Sequence, residues 1–399
     1  MAHRKSLEHT ASCLLNRGGV LLPCSAGPPG KSLWSSTVLI ATVVQPLCIS
    51  EDLCKTAKAG LSGPETLVIR VVPARALNLE QLASWRALQE ANPDLDNPCF
   101  TPEFTEAVAG VREDVEVALL QRGEEIQAVF PFQRRPGLRA VPVGGIISDY
   151  QGLICRPGFT CNPRQLLKAC NLASWKFDRL LCSQQCFVPY YKQCTLSARV
   201  DVSAGYGAYV AQRRAAGTHQ VKQCEYMMRR MERELGPLRF VPHSSDSGLL
   251  RRVLAWKSEQ YRRTGWSDLF ATGWARTLVE RIHETQTAGF GGMLSLLFAG
   301  RQLVAGHFGM RSKTVWHYWF PAYDRRFARY SPGLILLLKM AQFAEDFGLH
   351  CIDIGTGLTL YKRRLMNASV SVAEGIVETP SCRGLLRLVR RRLRAMLKR

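Results

Sequence analysis

Acidic side chains are scarce in this 399-residue chain: 32 Asp and Glu stand against 53 Lys and Arg, a formal charge of +21. Such an excess favours an anionic partner, whether a phosphorylated small molecule, a nucleic acid or an acidic membrane surface. Long apolar runs are also missing. The most apolar stretch, residues 38–44, is closed by Gln45 and Pro46, far short of the roughly 20 residues a membrane span needs. It begins too deep in the chain for a standard export signal. No transmembrane helix is predicted, and the expected location is the cytoplasm or the inner face of the membrane. The chain has no Gly-x-Ser-x-Gly elbow, no complete Walker motif, since Gly30-Lys31-Ser32 has Ser25 where the first glycine is required, and no zinc-spaced His/Cys cluster, so covalent serine chemistry, ATP chemistry and a structural zinc are without support. The tightest cysteine pair, Cys182 and Cys186, has no second pair to complete a metal site, and the 14 cysteines follow no regular spacing. They read as reduced thiols, and no metal is expected.

What is present is an ordinary globular balance, 46% hydrophobic and 21% charged, in a chain long enough for two packed lobes and a tail. Residues 1–64 mix Gly, Pro, Ser and Cys, including Gly27-Pro28-Pro29-Gly30, and predict a poorly ordered extension. A strand over residues 67–72 and a helix over 79–91 with Asn78 as its cap follow. Two strands around Gly123 form a hairpin. A charged helix over 218–235 stops at Gly236-Pro237 and opens a second series: strand 238–241, helices 247–264 and 273–285, strands 292–298, 302–310 and 315–320, helix 334–347 and strand 350–354. The last segment, 381–399, sets Leu385, Val389, Leu393 and Met396 on one face of a helix ringed by arginines. Such a helix suits an anionic membrane, an RNA or a face of its own domain.

The stretch richest in chemistry runs from Trp316 to Gly333. Ser331 suits a helix cap and Pro332 the first helical position. With Arg325, Arg326 and Arg329, the amides at that helix start would form an anion cradle. His307, on a strand between glycines, can titrate near neutrality and is a base candidate, although a structural histidine fits the same pattern. Asp353 is either a base or acceptor-binding carboxylate, or a buried partner of an arginine. Asp149, in the Ser148-Asp149-Tyr150-Gln151 turn, either lines a groove between lobes or merely forms the turn. Lys362 could contact phosphate and Tyr361 could protonate a leaving thiolate; a solvated charge and a surface aromatic are the alternatives.

Ala305-Gly306-His307-Phe308-Gly309, Trp319-Phe320-Pro321-Ala322-Tyr323-Asp324, Tyr330-Ser331-Pro332-Gly333 and Tyr361-Lys362 resemble the CelD/BcsL acetyltransferases, relatives of the FemAB-type transferases. Residues 143–152 and the Trp256-Lys257-Ser258-Glu259-Gln260-Tyr261 block extend the resemblance over about residues 98–377. One departure is Gly355-Thr356-Gly357-Leu358, where the family leads us to expect a Lys and an acidic residue. The resemblance implies an α/β fold with an α+β mixed sheet, built as tandem GNAT (acyl-CoA N-acyltransferase) lobes over residues 65–200 and 201–380. It also implies transfer of an acyl group, acetyl above all, from acyl-CoA to an amine of an acceptor in polysaccharide or cell-envelope synthesis. His307, Asp353 and Tyr361 would then be catalytic. Arg325, Arg326, Arg329, Ser331, Gly333 and Lys362 would hold the donor, and Asp149, Tyr150, Gln151, Trp319 and Tyr323 the acceptor. Two alternatives stay open: transfer from aminoacyl-tRNA, the one case that brings in nucleic acid, and a non-catalytic adaptor for membrane or RNA.

Overall fold

In order along the chain the strands and helices are β1 (Val68–Pro73), α1 (Leu79–Glu90), α2 (Pro102–Val111), β2 (Val115–Arg122), β3 (Glu125–Arg135), β4 (Arg139–Val141), β5 (Ile154–Cys155), α3 (Pro163–Ala169), β6 (Ser174–Leu181) and β7 (Tyr191–Asp201). There follow α4 (Tyr206–Ala215), α5 (Gln220–Leu235), β8 (Leu238–Val241), α6 (Ser247–Arg263), α7 (Gly273–Glu284), β9 (Gly291–Ala299), β10 (Gln302–Arg311), β11 (Val315–Tyr323), α8 (Pro332–Phe343), β12 (Cys351–Gly355), α9 (Leu360–Leu365) and β13 (Ala368–Glu378). The computed structural model describes residues 66–379. The expected extension over 1–64 and the basic helix over 381–399 lie outside the described residues.

Local chemistry sets most of these boundaries. Asn78 and Gln81 form a reciprocal capping box at the start of α1, and Thr101 with Pro102 starts α2, each satisfying helix amides that would otherwise lack partners. Asp246 accepts from the Gly248 and Leu249 amides at the start of α6. Ser331 departs from its expected part: it precedes α8 in a left-handed conformation, φ 54°, and its side chain caps nothing.

The strands form one mixed sheet in the order β1-β2-β3-β4-β6-β13-β7-β12-β11-β10-β9-β8, with β5 paired to β3. Most neighbours are antiparallel. The exceptions matter, because both parallel pairs are short. β4 pairs with β6 only at Arg139 with Ser174 and Ala140 with Trp175. β11 pairs with β12 only at Val315 with Cys351, Trp316 with Ile352 and His317 with Asp353. Beyond His317, β11 runs on to Tyr323 while β12 stops at Gly355, so the two strands part and leave a fork. β13, alternating small and apolar residues, inserts between β6 and β7 and pairs antiparallel with both.

Helices cover both faces. One apolar cluster joins α1, α2, α6 and α7 to the sheet through Trp85, Phe104, Val253 and Leu278. Another packs α8 against β9 to β12 through Leu336, Leu337, Trp316 and Ile352.

A bulge marks the middle of β11. Phe308 faces Phe320 and Met310 faces His317, so Tyr318 and Trp319 together oppose the single residue Gly309. Such bulges bend a strand and re-aim its side chains. Gly309 has no side chain because none fits: a Cβ there would lie 2.0 Å from the His317 carbonyl oxygen. Gly309→Ala is therefore expected to cost about 2 kcal/mol or more through forced backbone movement, lowering the melting temperature by several degrees. Gly289→Ala, where a Cβ meets nothing within 4 Å, should leave it nearly unchanged, and differential scanning calorimetry of the two variants checks the contrast.

Candidate active site

The fork between β11 and β12 opens where polar groups from both halves of the chain converge. At its vertex Asp353, fully buried, accepts from the Tyr150 hydroxyl at 2.5 Å, the Arg199 Nε at 3.0 Å, the Ser197 hydroxyl at 3.3 Å and the Gly355 amide at 3.0 Å. Four donors occupy its lone pairs, and a carboxyl so engaged is fixed in place. Of the two readings open for Asp353, the structure has the arginine-paired one. The Tyr150 hydroxyl has its pKa raised far above the ordinary tyrosine value, by burial first and the Asp353 charge second.

Beside this pin, Asp149 lies with Oδ2 3.0 Å from His317 Nε2 and Oδ1 3.3 Å from Arg179 Nε. Burial works against its ionisation, but His317, Arg179 and Lys362 outweigh it and hold its carboxyl below the ordinary value. His317 is fully buried. Its Nε2 approaches Asp149 at ion-pair distance without the alignment of a linear hydrogen bond, and its Nδ1 has no protein partner. A buried ring nitrogen without a partner is uncommon and asks for an explanation. Lys362 Nζ donates to the carbonyls of Thr356 at 2.6 Å and Gly355 at 3.2 Å, and burial lowers its pKa against the pull of Asp149 and Asp353. A Cβ on Gly355 would sit 3.8 Å from Lys362 Nζ and 3.9 Å from Asp149 Oδ2, so this glycine, φ 76°, leaves open space between the two charges.

His307 is placed differently from its expectation. It is fully buried, stacks on Tyr318 with ring centroids 4.7 Å apart, and its Nε2 accepts from the Trp319 amide at 3.1 Å. Burial, and next the charge of His317, depress its pKa to about 3. With its lone pair taken by the bulge amide, His307 is a neutral ring supporting β11 and has no free site for a proton. Gln151 likewise stitches the fold: its side chain spans to Asp178 and accepts from the Asp178 and Arg179 amides. Trp319 donates its indole N–H to the Ile147 carbonyl at 3.0 Å and so holds the 144–150 loop against β11.

On the far side of β11 a cleft of about 300 Å³ lies between that strand, the start of α8 and α9. Tyr318, Tyr323, Ser331, Gly333, Leu334 and Tyr361 are among its walls. Burial raises the Tyr361 pKa, keeping its hydroxyl protonated and able to donate. The expected arginine cradle is already engaged by carboxylates. Arg326 pairs with Asp324 at 2.7 Å, Arg329 with Glu234 at 3.1 Å and Arg325 with Glu259 at 3.6 Å. All three remain largely exposed, so an anion near α8 would compete with these surface pairs.

A second cleft, of about 280 Å³, occupies the matching position beside the β4 and β6 pair, among Val141, Pro142, Ile146, Lys176, Asp178 and Trp274. Arg179 links it to the vertex by pairing with both Asp178 and Asp149. His317, Arg199 and Ser197 were absent from the candidates drawn from sequence. His317 stands within the Trp316-to-Gly333 stretch, and only its register opposite Asp353 marks it. Among the described residues the cysteines are free, no group of three or more His, Cys, Asp or Glu side chains could hold a metal ion, and no helix is long and apolar enough to cross a membrane.

Residues 218–363 match the family model described as an acetyltransferase (GNAT) domain. Solved structures with the same fold include FemX, 10% identical, with a TM-score of 0.53 over 77% of this chain and 98% of that one. A tandem GNAT protein from the clavulanic acid biosynthesis pathway is 12% identical, with a TM-score of 0.45 over 79% of this chain and 100% of that one. No curated protein matches the chain.

Two outcomes follow from the vertex. Tyr150→Phe leaves the buried Asp353 one donor short and should cost about 1–3 kcal/mol in urea unfolding. The depressed Asp149 carboxyl contributes stability that is fully present above the unfolded carboxyl value, about 4, and is lost as pH falls through its folded value. Between pH 7 and pH 3 the wild-type unfolding midpoint should therefore fall further than that of Asp149→Asn.

Proposed function

We propose that the chain is an N-acyltransferase that takes an acyl group, acetyl above all, from acyl-CoA and passes it to an amine. The observation that carries this reading is the fork: two parallel strands part after His317 and Asp353, with a bulge on one strand and a cleft at the start of a helix. The match to an acetyltransferase (GNAT) domain over these same residues supports it.

In this reading the donor thioester lies in the cleft beside α8. Gly333 permits a close approach there, because a Cβ would meet only the Tyr323 ring, at 3.7 Å. Amine acylation requires that the attacking nitrogen lose a proton and that the leaving thiolate gain one. The Asp149 and His317 pair suits the first task. Asp149 stays ionised beside Nε2, which directs the proton-accepting capacity of the ring to the unpartnered Nδ1. Tyr361 suits the second, since its hydroxyl lines the cleft in the protonated form. Asp353 acts at one remove, holding Tyr150 and Arg199 so that the loop carrying Asp149 keeps its distance from His317. The acceptor fits the second cleft, whose Asp178 can attract an ammonium and whose Trp274 and Ile146 can cover an apolar or sugar face. Polysaccharide and cell-envelope precursors are the acceptor class this composition favours.

Calorimetry with acetyl-CoA and an acetylation assay on amine acceptors separate the parts. Gly333→Phe, which fills the donor cleft, should abolish saturable acetyl-CoA binding, whereas Asp149→Asn should retain binding and lower kcat by about 10²-fold or more. Failure of any CoA thioester to bind, together with transfer from charged tRNA, would replace the donor and keep the vertex.

A further inference from the structure

We propose that Lys257 is a self-acylation site, whose amine takes the acyl group from the donor bound in the adjoining cleft and keeps it as an amide. The inference rests on the donor reading above. Lys257 lies on α6, which packs across β10 and β11. Its Nζ donates to the Pro321 carbonyl at 3.3 Å and sits 5.2 Å over the Tyr261 ring. Pro321 is itself a wall of the cleft beside α8, as is Gln260, one turn further along α6. The amine therefore stands against the wall where the thioester would lie.

Its surroundings hold it half-buried and without an acidic partner among the described residues; Glu259, two positions along, turns to Arg325 instead. The charged and titratable groups facing it are Lys362 from α9, His307 from β10 and Tyr261 of its own helix. Burial, with the Lys362 charge adding to it, lowers its pKa to about 8. At pH 8 about half of such amines are neutral, roughly a hundredfold more than for a solvated lysine of pKa about 10.4. The residue as a whole is half-buried.

The step balances without a further reactant. The neutral Nζ attacks the thioester carbonyl carbon, an N–C bond forms, the C–S bond breaks, and the thiolate departs with its electron pair and takes the proton shed by nitrogen. The product, an uncharged acyl-lysine, is longer than lysine and projects beside Pro321, where it would occupy the donor cleft. Self-acylation thus silences transfer when donor accumulates without acceptor.

The full chain is incubated with acetyl-CoA without acceptor, and separately with the acetyl thioester of N-acetylcysteamine, a donor too small to need the CoA site. Peptide mapping by mass spectrometry then locates the acetyl groups. One acetyl at Lys257 from acetyl-CoA is expected, with a rate that climbs through pH 8 and levels off, and none in Lys257→Arg. Calorimetric binding of acetyl-CoA with Lys257 left unmodified, or modification of Lys362 in its place, overturns the proposal. If acetyl-CoA does not bind, the donor reading fails and the small thioester decides the matter alone. Acetylation of Lys257 ahead of the exposed Lys168, Lys176 and Lys313 upholds the reactive amine, and equal labelling rejects it.

Discussion

A carboxylate removed from water must be answered by donors, and Asp353 recruits them from three separate parts of the chain. Tyr150 comes from the loop after β4, Ser197 and Arg199 from β7, and the Gly355 amide from the turn that follows Asp353 itself. A lone buried charge would be prohibitive, while one this fully bonded holds its partners in a single geometry. The position of Asp149 follows from that constraint. It neighbours Tyr150 in sequence, so anchoring the tyrosine beneath β12 brings the aspartate to His317. Trp319 adds a second tether through Ile147, and the loop between the two anchors has little freedom left.

Charge is arranged unevenly around this centre. The surface arginines near α8 are matched by Asp324, Glu234 and Glu259, whereas Lys362 beside the fork and Lys257 on α6 donate to carbonyl oxygens. Exposed pairs exchange partners at little cost, and a positive field over the whole molecule raises the encounter rate of an anionic substrate. Buried ammonium groups without matched carboxylates instead create a local demand for negative charge, which a developing oxyanion or thiolate would meet. The wide basic excess therefore suits capture, and the few interior cations suit chemistry.

The second half of the fold was readable in the sequence because its signals are local. Gly236-Pro237, Asp246, the alternation of β9 to β11 and the Pro332 helix start each lie within a few residues of the boundary they set. The first half yielded its early strands and helices, with Asn78 capping as expected, but β4 to β7 and β13 went unread. β13 carries clear alternation; what the sequence could not convey is that it lies between β6 and β7. The candidate site suffered the same way. Asp149, Tyr150 and Asp353 stood out as polar residues in apolar or turn settings, yet Tyr150 and Asp353 meet across 203 positions. His317 and His307 sit ten residues apart on adjacent strands, and only the bulge at Tyr318 and Trp319 decides which ring loses its lone pair to a backbone amide. A histidine's residue type reports two ring nitrogens; its hydrogen-bond register decides which of them is left without a partner.

The insertion of β13 between β6 and β7 has a consequence for how the protein is made. Every strand from β1 to β12 leaves the ribosome before the one that closes the gap between them, so β6 and β7 must wait with unpaired edges facing each other. Bare edges attract foreign strands, and contacts between residues so far apart form slowly because a long loop must close first. The emerging chain is thus exposed through much of the second half of its synthesis, and its sheet joins only when β13 slides home. A cell that makes this protein quickly would depend on chaperones to guard that opening, and the yield of active molecules would be set by completion of the last strand.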